Sequence, residues 1–204
     1  MDESITSKGE RTRAEITESA YRLFLEKGYH GTSMRQIAKE AGVALGGIYN
    51  HFSCKEDIFV NILLVHHPYN KVLPAMKAAR GDTIETFVRD AATRIVGNLD
   101  NHQDFLNLMF IELVEFNSRH IPQLFEVYFP QAMEFTQRFG EGSHEMRPIP
   151  IPIIARAFIG LFFSYVFTEI IIGQQLPLEM QEGVLDHFVD IYLHGILANP
   201  SEAR

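Results

Sequence analysis

One cysteine, Cys54, stands in the 204 residues. An internal disulfide is therefore excluded, and the usage is that of a reducing, cytoplasmic compartment. The first fifteen positions are polar and charged, so no signal peptide is read there. The longest apolar stretch, Ile153 to Ile172, carries Arg156 near its start and Glu169 near its end. Only Ala157 to Thr168 lies uncharged between them, short of the ~20 residues a membrane span needs. A helix buried in a bundle, and no membrane partner, is the expectation. The nine histidines form no ligand set. His66 and His67 are adjacent and so point apart on a helix, while His187 and His194 are seven residues apart with Asp190 between them. No Ser/His/Asp or Cys/His grouping stands in a catalytic context, and no phosphate-binding glycine loop is present. Neither an enzyme nor a metal or other cofactor is expected. Period-2 alternation is missing throughout, which points to an all-α fold.

Positive charge is also scarce, with a formal net charge of −8. Its distribution matters more than its total. Lys8 to Lys55 holds eight basic and five acidic residues, a balance of +3, which leaves −11 on the remainder. A basic head on an acidic body is drawn to phosphate in one orientation only.

Within that head, Thr32 to Lys55 reads as two short helices joined by a tight turn. Ser33 and Gln36 form a capping box, and Met34, Ile37 and Ala38 share a helical face. Gly42, four residues after Ala38, suits the left-handed backbone that ends a helix, and Ile48 anchors a second short helix. Ser53 with Glu56 reads as a further capping box. Ahead of them a helix over about Gly9 to Lys27 carries the apolar stripe Ile16, Ala20, Leu23 and Phe24.

From Arg11 to about Phe59 the chain resembles the amino-terminal DNA-binding domain of the tetracycline-repressor (TetR) family of bacterial regulators. The likeness rests on FLEKGY at 24 to 29, the Thr32-Ser33 pair, IAKEAGV at 37 to 43, and IYNHF followed by Lys55 and Glu56. It implies residues 1–55 as a three-helix helix-turn-helix DNA-binding domain and residues 56–204 as a helical ligand-binding and dimerisation domain. It further implies double-stranded operator DNA, a small-molecule effector and a homodimer as partners, with repression as the usual outcome. Thr32, Ser33, Arg35, Ala44, Leu45, Gly46, Gly47, Tyr49, His51 and Lys55 fall on DNA-facing positions. Thr32, Tyr49, His51 and Lys55 match positions that grip the phosphate backbone, and Arg35 matches one that can reach a base edge. Packing roles for Tyr49 and His51, and a solvated role for Arg35, remain open at this point.

The second short helix departs from the family pattern. Many members carry a Ser or Thr cap followed by Lys-Gly-Thr or similar, and this chain has Ala44, Leu45, Gly46 and Gly47. Leu45 suits thymine methyl groups, and the glycines allow either close approach to the groove or tight internal packing. Specificity then falls to Arg35, to Arg11 and Arg13 in the amino-terminal arm, and to DNA shape. A helical carrier protein with a decayed DNA head is the alternative these four residues keep open. Cys54, just inside a helix start, is either a redox-sensitive thiol or an inert filler, and no second cysteine resolves an oxidised form.

After a linking helix from about Ser53 to His66, which Pro68 and Pro74 interrupt, helices are expected at 83–99, 103–117, 121–139, 153–173 and 178–197, with a loop over 140–152. Glu112 falls inside the apolar stripe of Phe105, Leu108, Met109 and Phe116. It either lines a ligand pocket or meets a neighbouring helix through Arg94 or Arg156. Phe105, Met109, Glu112, Phe116, Phe125, Phe129 and Phe162 are the expected effector-binding residues, for an apolar or amphipathic molecule. Ala157, Phe158, Leu161, Phe162, Tyr165 and Glu169, with Val184, Leu185, Phe188, Ile191, Tyr192 and Leu197, give the last two helices the expected dimer stripe, unless both faces are buried within one protomer.

Overall fold

The computed structural model describes residues 7–98 and 102–197, and the regular structure in them is helical. In chain order the helices are α1 Lys8–Lys27, α2 Met34–Glu40, α3 Leu45–Ile48, α4 Lys55–Val65, α5 Tyr69–Lys77, α6 Ile84–Gly97, α7 His102–Glu115, α8 Ile121–Glu141, α9 Ile151–Ile171 and α10 Val184–Ile196. Short 3-10 turns occupy Ser143–Glu145, Gly173–Gln175 and Leu178–Met180. No strand occurs among the described residues, and a single antiparallel bridge joins Met146 to Leu197. The all-α expectation holds. Residue 99, the expected end of the sixth helix, lies outside the described residues.

The chain packs as two compact units, one of residues 1–67 with 104–125, the other of 68–103 with 126–204. In the first, α1 lies against α2 and α4, and α2 against α3. Ile16, Ala20, Leu23 and Phe24 of α1 meet Ile37, Ala38, Ile48, Ile58, Phe59 and Ile62 in its core, all buried. The start of α1 is set by Ser7, whose hydroxyl accepts from Glu10 N at 3.2 Å while the Glu10 carboxylate accepts from Ser7 N at 2.7 Å. Hydrogen bonding from Ser7, chiefly from its main-chain N–H, also holds the Glu10 carboxyl below its ordinary range.

In the second unit α6 packs on α5 and α10, and α10 packs on α9. Phe87, Phe135, Phe139 and Phe158 form its aromatic centre, with neighbouring ring centroids 5.2 to 6.1 Å apart. Pro74 does not interrupt the chain as expected but lies inside α5. A proline interior to a helix costs about 3 kcal/mol, and the buried face of Val72, Leu73 and Met76 offsets it.

A second expectation also changes. α9 is long and apolar enough to cross a membrane by length and composition, yet it is no buried bundle helix within the protomer. Only Ile154, Phe158 and Phe162 turn fully inward, while Ile153, Ile159, Phe163 and Ile171 are exposed. Its apolar residues surround the helix, so burial selects one face and leaves the others outside.

Candidate nucleic-acid interface

The stretch 32–55 forms the two-helix element read from its residues. Ser33 caps α2, its hydroxyl accepting from Gln36 N at 3.3 Å and its backbone N–H donating to Gln36 Oε1 at 2.8 Å. Gly42 adopts φ +67°, the left-handed turn conformation. Ile48 is fully buried. Around these anchors Ser33, Arg35, Ala44, Leu45, Gly46 and Tyr49 are exposed, while Gly47 and His51 are half-buried.

α3 is a single turn with Ala44 as its cap, and no side chain satisfies its first amides. Among the described residues, nothing beyond the adjoining backbone lies within 4 Å of a Cβ placed at Gly46 or Gly47. Tight internal packing therefore does not explain the two glycines.

Three cationic or hydroxyl groups are bonded to the protein itself instead. Thr32 is buried, and its hydroxyl donates to the Leu23 and Gly28 carbonyls at 3.1 and 3.0 Å. It holds the end of α1 and does not present its side chain outward. Lys55 Nζ donates to the Tyr29 and Thr32 carbonyls at 2.6 and 2.7 Å and sits 4.1 Å from the Tyr29 ring centroid. Two of its three donors are thus committed within the fold. Burial lowers the Lys55 pKa, and burial followed by the Glu56 carboxylate pushes the Tyr29 phenol up to about 12. Arg13, placed in the DNA-reading arm by sequence, donates to the His51 carbonyl at 2.7 Å and to Asn61 Oδ1 at 3.0 Å, and stacks 4.1 Å over Phe52. Arg11 pairs with Glu15 at 3.1 Å.

The Ser53–Glu56 capping box is also corrected. α4 begins one residue later, at Lys55 with Cys54 as cap, and Ser53 bonds the Asp57 carboxylate through both its N–H and its hydroxyl. These bonds lower the Asp57 pKa. Glu56 is left to meet Arg119 and His120, each at 3.1 Å. Cys54 is exposed.

Glu112 is completely buried, as its place in an apolar stripe suggested. Its partner is neither Arg94 nor Arg156. His120 supplies its main-chain N–H at 2.7 Å and its Nδ1 at 2.8 Å, so both carboxylate oxygens are already engaged. No helical spacing relates positions 112 and 120, and only the turn between α7 and α8 brings them together.

The other expected effector residues divide between the units. In the first, Phe116 packs on Tyr29 and Phe59 at 4.8 and 4.9 Å, and Phe105 meets the His67 ring at 5.1 Å. Met109 is half-buried and Phe125 exposed. In the second, Phe129 is exposed and Phe162 is buried against Phe158 at 4.8 Å. Two surface concavities, one lined by Arg13, Arg22, Asn61 and His66 and the other by Met76, Arg80, Phe87 and Arg138, include none of the seven.

The dimer stripe drawn from sequence is likewise revised. Phe158, Phe162 and Tyr192 belong to the protomer core, and the Tyr192 hydroxyl donates to the Ile154 carbonyl at 3.0 Å. Phe188 meets Tyr165 at 5.8 Å.

Residues 16–62 match the family model described as "Bacterial regulatory proteins, tetR family". The regulator YuxN of Bacillus subtilis is 32% identical over 99 residues, covering 48% of this chain and 33% of that protein. The chain thus spans about a third of YuxN. YvkB, also an HTH-type regulator of Bacillus subtilis, is 23% identical over 201 residues, covering 92% of this chain and 98% of its own. Among solved structures, NalD of Pseudomonas aeruginosa, the secondary repressor of the MexAB-OprM multidrug efflux pump, superposes with a TM-score of 0.66 at 22% identity, covering 94% of this chain and 100% of its own. That likeness is one of fold. Residues 16–62 thus match the amino-terminal domain model of the tetR family of bacterial regulators, and along its length the chain shares the helical fold of the solved regulators it resembles.

Proposed function

We propose that the protein is a homodimeric, cytoplasmic DNA-binding repressor whose operator affinity falls when a small apolar or amphipathic molecule binds its carboxy-terminal helices. The observation that carries this is the element over residues 32–55. It buries Ile37, Ala38 and Ile48 and leaves Ser33, Arg35, Leu45, Gly46 and Tyr49 exposed on one short segment. A scaffold that holds a one-turn helix by its anchor and exposes its other side is suited to a major groove. Arg35 and Leu45 are assigned to base edges, Tyr49 and the remaining Lys55 donor to phosphates, and Gly46 and Gly47 to close backbone approach. NalD, whose name makes it a repressor, supports the sign of regulation.

Dimerisation follows from the unburied face of α9, where Ile153, Ala157, Gly160, Ser164 and Ile171 recur at helical spacing, with Ile191 exposed on α10. A two-fold axis through these helices is the arrangement proposed. The two heads must lie about 34 to 36 Å apart, or a multiple of that, to enter successive major grooves. An effector that favours another separation releases the DNA, and by linkage operator DNA weakens the effector by the same factor.

Selection of bound fragments from the source genome tests the proposal. Enriched fragments should share a palindrome whose half-sites are about 10 base pairs apart centre to centre, or a multiple of that. Retention of no fragment above background refutes DNA recognition and favours a carrier protein with a decayed head.

A further inference from the structure

The His120 ring lies between two carboxylates. Its Nδ1 is 2.8 Å from Glu112 Oε2 and its Nε2 is 3.1 Å from Glu56 Oε1. The ring thus bridges the two carboxylates, one on each nitrogen. Arg119, in the same turn, adds its guanidinium to Glu56 at 3.1 Å. The neighbouring acid of α7, Glu115, is taken by His30 at 2.6 Å.

The turn carrying His120 is itself held. Asn117 and Ser118 both have positive φ, 51° and 63°, an arrangement that persists only where the surroundings impose it. Glu112 does so with its main-chain oxygen, which accepts from Ser118 N at 3.1 Å, and with its side chain, which accepts from His120 N. The ring then packs edge-on against Phe116 at 4.9 Å and Phe59 at 6.4 Å. Phe59 and Glu56 lie on one face of α4, one turn from its start. Lys55 and Tyr29, which close the other side of that start, are joined to the same cluster through Tyr29 and Phe116.

We propose that Glu112 and His120 are positioning residues for the DNA-reading head. They grip the first turn of α4 through Glu56 and so fix where that turn, and the DNA-facing segment just before it, is presented. The inference rests on the DNA-binding function proposed above, and it gives Glu112 a role other than that of a ligand contact. It also supplies a physical link between the α7–α8 turn and the head, since α8 carries the chain onward into the carboxy-terminal half.

Glu56→Gln and His120→Gln, singly and together in the full-length protein, test the proposal. Glu56 is partly exposed, so its substitution leaves the fold intact even if the change at His120 does not. Each single change should accelerate amide exchange over 55–59 by about tenfold or more while leaving the middle of α1 unchanged. On a duplex retained in the genomic selection, each should lower affinity on the order of tenfold, and the double variant should be no worse than the weaker single, as expected of groups acting as one unit. The salt dependence of binding should not change, because no phosphate contact is removed. Unchanged exchange over 55–59, uniform acceleration across the whole first unit, or fully additive losses in the double variant would each overturn the positioning role. If the unmodified protein retains DNA and the variants match it, the coupling is wrong and the DNA function stands. If the unmodified protein retains none, the function proposed above falls, and the exchange measurement alone decides whether Glu112 and His120 position α4.

Discussion

The Arg13 guanidinium donates to the His51 carbonyl at 2.7 Å, tying the first half of α1 to the residues that close α3. Its other arm reaches Asn61 of α4, whose amide donates in turn to Thr17 of α1 at 2.9 Å. Three helices therefore converge on one side chain. Arg13→Met keeps the apolar stem over Phe52 and removes both bonds. The expected loss is about 1 to 3 kcal/mol of stability, as for hydrogen bonds to a charged group, read as a lower melting temperature. Binding to DNA should weaken with an unchanged salt slope. A slope reduced by about one unit would instead identify Arg13 as a phosphate ligand.

The two glycines of α3 separate folding from recognition. Neither has a positive φ, and among the described residues a methyl group at either meets nothing beyond the adjoining backbone. Gly46→Ala should therefore stabilise the head, by up to about 1 kcal/mol. If the backbone at this position approaches the groove closely, the same change should lower operator affinity at least several-fold. Thermal melts and DNA titrations on one preparation read both effects. Higher stability with undiminished affinity would remove Gly46 from the interface.

A charge on the unburied side of α9 tests the proposed dimer without disturbing the protomer core. Ile153, on the stripe assigned to the dimer, is 53% exposed. Ile153→Asp should yield folded monomers by sedimentation at micromolar concentration, because an unpaired charge in an apolar interface costs several kcal/mol. An unaltered dimer would place the interface elsewhere. Phe162, buried in the protomer, should unfold the chain instead when given a charge.

Stability should fall on mild acidification because of His67. Burial lowers its pKa from 6.5 to about 4. The unfolded chain therefore binds the proton first as pH falls. The contribution is intact above pH 6.5 and is lost progressively towards about pH 4, by on the order of 3 kcal/mol in total. Denaturant unfolding of the protein and of His67→Gln between pH 7 and 4 checks this. The variant should lack that part of the slope, and an identical pH dependence would exclude His67 as its source.

Much of the head was legible from sequence because its determinants are local. The Ser33–Gln36 box, the left-handed Gly42 and the Ile48 anchor lie within a few residues of the backbone groups they satisfy, so spacing alone specified them. The Ser53 box failed by one residue because Asp57 competes with Glu56 for the same cap, and Glu56 has distant partners in Arg119 and His120. Residue type identified Arg13, Thr32 and Lys55 as hydrogen-bond donors. It could not say that their acceptors are groups of the protein itself, since apart from the nearby Gly28 carbonyl these lie far off in sequence and are brought near by tertiary packing.

In the carboxy-terminal half the sequence determined an all-helical chain and a costly carboxylate at Glu112, because apolar periodicity and charge desolvation are properties of the residues in order. Which group neutralises Glu112, and which side of α9 is buried, were decided only by tertiary structure. His120 reaches Glu112 across a turn with two left-handed residues, outside any helical repeat. α9 is apolar on all sides, so its periodicity selects no face, and its orientation is set by the neighbours against which Ile154, Phe158 and Phe162 pack.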